Sequence, residues 1–121
     1  MTNTARHTVL VVEDEEDLRE MMREALELSG FHVVTAEDGR DALLKIERIE
    51  HLCLVLLDLR MPGMNGWEFF EEFRARPALA EVPVIVHSSM PDSAPAGVTR
   101  VVKKPVLFER LIALVHEYCQ N

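Results

Sequence analysis

The chain has 121 residues, of which 48% are hydrophobic and 28% are charged, a composition typical of one globular domain and not of a disordered segment. Its formal net charge of −8 argues against nucleic acid and against an anionic membrane as partners, because both bind basic surfaces. No apolar run approaches the roughly 18 residues of a membrane-spanning helix, and the polar N-terminus before Val9 does not have the pattern of a signal peptide.

Two cysteines, Cys53 and Cys119, lie far apart in the chain and form no CxxC pattern. Cys53 belongs to an apolar run, where a cysteine most often serves as a small buried thiol. The sequence therefore predicts reduced thiols and a reducing, cytoplasmic location.

Five short apolar runs predict β-strands. The β-branched run Thr8–Val12 is expected to form the first strand and residues 32–35 the second. The third, residues 52–57, is apolar at every position, which suits a central parallel strand buried on both faces. The last two strands are expected at residues 82–86 and within residues 98–103.

Between these runs, apolar residues recur at helical spacing in segments 18–28, 42–49, 67–73 and 107–115. Strands and helices that alternate indicate βαβ units, and hence an α/β fold in which helices cover both faces of a parallel sheet. In such doubly wound folds, ligands bind at the carboxyl ends of the strands.

Polar side chains gather at these carboxyl ends. The residues are Glu13 and Asp14 after the first strand, Asp58 after the third, His87, Ser88 and Ser89 at the fourth, and Lys103, Lys104 and Pro105 at the fifth. Carboxylates that lie close together repel unless a cation joins them, and Mg²⁺ prefers such oxygen ligands. A metal, a lysine and a hydroxyl around one carboxylate are the groups that phosphoryl transfer needs.

Four motifs carry a resemblance to a known family: VLVVEDEEDLRE, LVLLDLRMPGMNGWE, VPVIVHSS and VVKKP. In order and spacing they resemble the receiver domain of bacterial two-component response regulators, over nearly the whole chain. The resemblance implies a flavodoxin-like, doubly wound sheet of five parallel strands in the order 2-1-3-4-5.

The resemblance also implies a role for each site residue. Asp58 corresponds to the phosphorylated aspartate and shares Mg²⁺ or Mn²⁺ with Asp14, the main metal ligand. Glu13 would bind this metal directly or through water, and Arg60 would bind it through its backbone carbonyl. Ser88 corresponds to the family's Ser or Thr whose hydroxyl moves to contact the phosphoryl group. Lys104 corresponds to the lysine that pairs with the aspartate, and its peptide bond to Pro105 is expected to be cis.

Two departures from the family pattern concern the output of the signal. Val101 stands where the family usually has an aromatic residue. Residues 89–99, which we call the crossover segment, contain two prolines and a glycine, so the fourth helix is expected to be short or absent. Loss of this helix would expose the adjacent edge of the sheet, which favours a homodimer. Arg60 and Met90 are bulky and flank the path that the hydrolytic water takes in the family, which predicts slow autodephosphorylation.

Other conspicuous residues have structural interpretations. Residues 15–17 are acidic and suit the N-terminus of a helix. The aromatic residues of segment 67–73 suit core packing, Met61 and Met64 suit packing beneath the site, and Lys103 is expected to face solvent. His87 is expected to be structural, because the histidines show no metal-ligand spacing.

The sequence thus predicts one receiver domain over residues 1–121, with its core at about 8–119 and no output domain. It is not expected to be an enzyme beyond self-catalysed phosphotransfer and autodephosphorylation. Its donor would be a histidine kinase or a histidine phosphotransfer protein, as in a phosphorelay, and its signal would pass by protein–protein contact.

The alternative is a receiver-like scaffold or adaptor that no longer switches. A phosphatase of the haloacid dehalogenase type would need a second aspartate where Arg60 stands. A flavodoxin would need a hydroxyl- and glycine-rich loop in place of the acidic residues 13–17.

Overall fold

Residues 8–119 are described by the structure, a computed structural model. The prediction about a signal peptide concerns the N-terminus, of which residues 1–7 lie outside this range. The strands are β1 (Thr8–Val12), β2 (His32–Ala36), β3 (Leu52–Asp58), β4 (Val84–Ser88) and β5 (Arg100–Lys103). The helices are α1 (Glu16–Leu28), α2 (Gly39–Ile46), α3 (Gly66–Arg74) and α4 (Phe108–Tyr118). None of these helices is long and apolar enough to cross a membrane.

All neighbouring strands are parallel, and their order is β2-β1-β3-β4-β5, which confirms the predicted fold. The central strand β3 feeds both cores because its side chains alternate between the faces of the sheet. Leu54 and Leu56 pack with α1 and α4, whereas Val55 and Leu57 pack with α2 and α3. Burial on both faces explains why this strand is apolar throughout.

The crossover segment contains no α-helix, as its prolines and glycine predicted. It forms a 3-10 turn, Pro91–Ser93, and a second turn at residues 96–97, where Gly97 has a φ of 95°, before β5 begins. Two contacts attach the segment to α3. The indole Nε1 of Trp67 donates a hydrogen bond of 2.7 Å to the carbonyl of Ser93, and Gly97 lies over the ring of Phe70.

The structure corrects the prediction of two reduced thiols, because Cys53 and Cys119 form a disulfide with their Cα atoms 5.6 Å apart. Cys53 lies near the start of β3, and Cys119 directly follows α4. Since α4 runs antiparallel to the strands across their face, its end returns to the start of β3. The two cysteines are 66 positions apart, and their local sequences carry no sign of this encounter. The cytoplasmic expectation loses the support that reduced thiols gave it.

Candidate functional site

Three buried polar side chains meet at the carboxyl ends of three adjacent strands. Glu13 directly follows β1, Asp58 ends β3, and His87 lies near the end of β4. Side chains alternate along a strand, so residues two apart share a face. Each of the three lies two positions after a residue of the core beneath α1 and α4: Val11, Leu56 and Ile85. One potential ligand atom from each of the three lies within 4.8 Å of the others.

Lys104 brings a positive charge into this group from the end of β5. Its Nζ lies 3.3 Å from Oε1 of Glu13 and 3.4 Å from Oδ1 of Asp58. Its backbone N–H donates to the carbonyl of Ser88 at 2.9 Å, and the Lys104–Pro105 peptide bond is cis, as predicted. The predicted pairing of Lys104 with Asp58 is therefore present.

The two carboxyl groups are held where a negative charge is unfavourable. Burial, together with the neighbouring Asp58 carboxylate, raises the pKa of Glu13 to about 7, although the Glu15 N–H and Lys104 act in the opposite direction. Burial likewise raises the pKa of Asp58, with Lys104 opposing this and Asp14 adding to it. Two raised carboxyl pKa values beside one ammonium fit a site that takes up a further hard cation through oxygen ligands.

Lys104 is charged in this site, whereas His87 is neutral. Burial lowers the pKa of Lys104, but the carboxylates of Asp58 and Glu13 outweigh it, so the pKa rises above its ordinary value and Lys104 stays charged. Burial, together with the charge of Lys104, lowers the pKa of His87 to about 3, so its imidazole is neutral. The site thus combines the charged ammonium of Lys104 with the neutral imidazole of His87.

The other residues implicated by the sequence lie around this centre. Asp14 is exposed, yet its carboxyl group is close enough to influence Asp58. Ser88 is buried, and its Oγ accepts a hydrogen bond of 2.9 Å from the backbone N–H of Met90. The exposed Arg60 directs its guanidinium to Sδ of Met90 at 3.0 Å, so these two side chains join the loops that follow β3 and β4. The metal-binding role of the Arg60 carbonyl stays a prediction.

The loop after Asp58 is fixed by close backbone packing at the start of α3. A Cβ on Gly66 would lie 2.5 Å from the carbonyl oxygen of Asp58 and 2.7 Å from Cα of Leu59. The preceding Asn65 caps α3 in a capping box with Glu68. These contacts explain why the sequence places Asn and Gly at the positions that hold the phosphoacceptor candidate.

Sequence reasoning assigned His87 a structural role and so missed its place beside the carboxyl groups. The alternation of side chains along β4 indicates this place. His87 is two positions from the apolar Ile85, and it pairs in register with Asp58 on the neighbouring strand. A polar residue on the same face as Asp58 must point to the same core.

Comparison with known proteins agrees with this fold. Residues 9–116 match the response regulator receiver domain family, and the chain belongs to that family. Response regulator RR06 of Streptococcus pneumoniae is 32% identical over 120 residues, which cover 91% of this chain and 54% of that protein. A cyclic di-GMP phosphodiesterase of Thermotoga maritima is 36% identical over 108 residues, or 86% of this chain and 28% of that protein. The chain therefore spans about a quarter to a half of these curated relatives.

Solved structures show the same architecture over whole chains. The chemotaxis protein CheY4 of Vibrio cholerae superposes with a TM-score of 0.82 at 28% identity, covering 93% of this chain and 98% of that one. Response regulator TrrA of Thermotoga maritima, solved in complex with Mg²⁺-BeF, superposes with a TM-score of 0.81 at 29% identity, with the same two coverages.

Proposed function

We propose that the chain is a phosphoacceptor that takes a phosphoryl group from a phosphohistidine donor onto Asp58 in the presence of Mg²⁺. The observation that supports this most is the buried Asp58 carboxyl group at the end of the central strand, 3.4 Å from the ammonium of Lys104. A nucleophilic carboxylate beside a fixed cation is suited to phosphoryl transfer, which depends mainly on positioning and charge.

In the transfer, a carboxylate oxygen of Asp58 forms a bond to phosphorus while the nitrogen–phosphorus bond of the donor imidazole breaks, and that nitrogen keeps the electron pair. The ammonium of Lys104 stays beside Asp58 and holds a phosphoryl oxygen. The hydroxyl of Ser88 releases the Met90 N–H, which it accepts in the unphosphorylated protein, and donates its O–H to a phosphoryl oxygen. Mg²⁺, when bound, offsets the charge of carboxylates and phosphoryl oxygens, and TrrA supports this because it was solved with Mg²⁺-BeF.

The metal-binding residues belong to the same proposal. Asp14 and Asp58 would hold Mg²⁺ with their carboxylates, Glu13 would bind it directly or through water, and Arg60 would hold it with its carbonyl. The raised pKa values of Glu13 and Asp58 support these two residues as metal ligands, because a cation relieves the charge that burial disfavours.

The donor in this proposal is a histidine kinase or a histidine phosphotransfer protein, and the output is contact with another protein. One structural relative, which is 30% identical, is the receiver domain of the hybrid histidine kinase CckA. A cytoplasmic location follows from such a donor. A Cys53–Cys119 disulfide is unusual there, so mass spectrometry of thiol-blocked protein taken directly from cells is the appropriate check.

The test of the phosphoacceptor is incubation of the purified chain with a small phosphodonor and Mg²⁺. Intact-mass spectrometry should show the mass of one phosphoryl group on the wild type and none on Asp58→Asn. Asp17→Asn, which removes an exposed carboxylate near the same edge, should behave as wild type. No incorporation into the wild type, or unchanged incorporation into Asp58→Asn, would overturn the proposal.

A receiver-like scaffold is the second candidate, and the crossover segment favours it. This segment replaces a helix and is attached to α3 through Trp67 and Ser93. A protein that incorporates phosphate at Asp58 without any change in partner binding or in Trp67 fluorescence would support the scaffold.

A further inference from the structure

The imidazole of His87 is a part of the site that the proposed phosphotransfer leaves unused. Its side chain is 1% exposed, and its Nδ1 lies 3.6 Å from Oε1 of Glu13. Its Nε2 is buried and has no hydrogen-bond partner among residues 8–119. Buried side-chain nitrogens nearly always have a partner, so a buried ring with an orphan nitrogen calls for an explanation. Imidazole is the commonest metal ligand among side chains, and Nδ1 of His87 is the ring nitrogen that lies beside Glu13.

The positions of the three buried groups fit a single metal ion. Two ligands that each lie about 2.1 Å from a metal are at most about 4.2 Å apart. One ligand atom each from Glu13, Asp58 and His87 already lies within 4.8 Å of the others. Because the three come from adjacent strands of one rigid sheet, small side-chain rotations are enough to bring them around an ion.

The chemistry of the ligands sets the class of metal. Carboxylates and water suit Mg²⁺, whereas imidazole suits the later first-row ions, whose affinities rise from Mn²⁺ through Co²⁺ to Ni²⁺. We propose that Glu13, Asp58 and His87 together bind a divalent transition metal, with the ring of His87 as a ligand that distinguishes it from Mg²⁺. This inference rests on the proposed metal site and adds a ligand and a selectivity to it.

Lys104 is the group that competes for this space. Its ammonium lies within 3.4 Å of both carboxyl groups, where it partly serves as the cation. Its side chain is 25% exposed, whereas that of Glu13 is 1% exposed, so Lys104 can withdraw towards solvent when an ion enters. Oε2 of Glu13 accepts the backbone N–H of Glu15 at 3.1 Å, which holds that carboxyl group in place while Oε1 faces Lys104 and His87.

The direct test is pulsed EPR of Mn²⁺ bound to the wild-type protein, with natural-abundance or ¹⁵N-labelled histidine. We expect a nitrogen coupling to Mn²⁺ that changes to the ¹⁵N pattern in the labelled sample. A bound Mn²⁺ that couples to no histidine nitrogen would overturn the inference. This measurement does not depend on any variant that fails to fold.

The companion test is calorimetric titration with Ni²⁺ and with Mg²⁺. His87→Val should weaken Ni²⁺ binding by at least about tenfold, with little change in Mg²⁺ binding. His51→Gln, which removes an exposed histidine at the opposite edge of the sheet, should bind both ions as wild type does. Equal Ni²⁺ affinities for the wild type and His87→Val would refute the role of His87.

The two tests also separate this inference from the proposed function. Phosphorylation of Asp58 that requires Mg²⁺, together with no nitrogen coupling, would refute the histidine ligand alone. No binding of Mg²⁺, Mn²⁺ or Ni²⁺ to the wild type, together with no incorporation of phosphate, would refute both.

Discussion

The ammonium nitrogen of Lys104 lies 3.3 Å from Oε1 of Glu13, although the two residues are 91 positions apart in the chain. The same nitrogen lies 3.4 Å from Oδ1 of Asp58. One cation therefore serves two buried carboxyl groups, and removing one partner of a buried ion pair leaves a charge without compensation.

Lys104→Met should destabilise the metal-free protein at pH 8 by roughly 3 kcal/mol, because both carboxylates lose their counter-ion. The loss should be smaller at pH 5, where Glu13, whose pKa is about 7, takes up a proton. Urea unfolding in EDTA measures both values. Lys103→Met, which changes the exposed neighbouring lysine, is the matched control and should stay near wild type. Equal effects of the two substitutions would contradict the bridging role of Lys104.

Glu13 should make the stability of the metal-free protein depend on pH. The pKa of Glu13 is about 7 in the folded state against 4.5 without the fold, so the folded state binds the proton more tightly. Its contribution to stability is therefore full below pH 4.5 and is lost as the pH rises through 7. The loss amounts to on the order of 3 kcal/mol.

Glu13→Gln should remove this dependence. The free energy of unfolding of the variant, relative to that of the wild type, should therefore increase from pH 5 to pH 8. The comparison between the two proteins is needed because His87, whose pKa is lowered to about 3, adds a slope of the opposite sign below pH 6.5. A difference that does not change with pH would refute the charge state assigned to Glu13.

Gly66→Ala should both destabilise the protein and disturb Asp58. The added Cβ would lie 2.5 Å from the carbonyl oxygen of Asp58, and the backbone there must move to relieve the contact. Overpacking of this kind costs about 1–3 kcal/mol. Thermal unfolding measures the first effect, and the rate of phosphate incorporation measures the second. Thermal stability and an incorporation rate equal to those of the wild type would show that the loop accommodates the added Cβ.

Arg60 and Met90 should prolong the life of the aspartyl phosphate, because their contact of 3.0 Å places two bulky side chains between the loops around Asp58. The double variant with Arg60→Asn and Met90→Ser should hydrolyse its phosphate faster by up to about tenfold, which corresponds to about 1.4 kcal/mol in the barrier. Loss of phosphate after removal of the donor measures the rate. Arg48→Asn, at an exposed and distant arginine, should not change it. An unchanged lifetime in the double variant would contradict this prediction.

Trp67, the single tryptophan of the chain, should report phosphorylation through the crossover segment. Ser88 Oγ now accepts the N–H of Met90, and the adjoining turn holds the indole through the Ser93 carbonyl at 2.7 Å. If Ser88 turns to a phosphoryl oxygen, the turn loosens and Trp67 emission should shift to longer wavelength. Ser88→Ala and Asp58→Asn should each abolish the shift. Superimposable spectra with and without phosphate would count against this route.

The strands and the order of the site residues could be predicted because they depend on local pattern. The apolar run before Asp58 and the polar residues after each strand are visible in sequence, and the parallel sheet brings those ends together. The loss of the fourth helix was equally local, since Pro95 and Gly97 strongly disfavour a helix in this segment.

The disulfide and the place of His87 depended on three-dimensional neighbours. The Cys53–Cys119 pair forms only because α4 returns across the sheet, and no local pattern encodes that crossing. His87 required the alternation of β4 to be compared with that of β3, with the register between the two strands known. Burial then determined its charge state, and burial of a single polar residue cannot be read from its immediate neighbours.

The disulfide also fixes where the two ends of the described chain stand. Thr8 pairs with Leu52 at the start of β3, and Cys119 is bonded to the adjacent Cys53. Asp58 ends the same strand, roughly 20 Å away at about 3.3 Å per residue. A fluorescent label, an affinity handle or a surface linker attached beside Thr8 or Cys119 would therefore begin on the side of the sheet remote from Asp58. Immobilised protein should then present the edge that carries Asp58 to the solution.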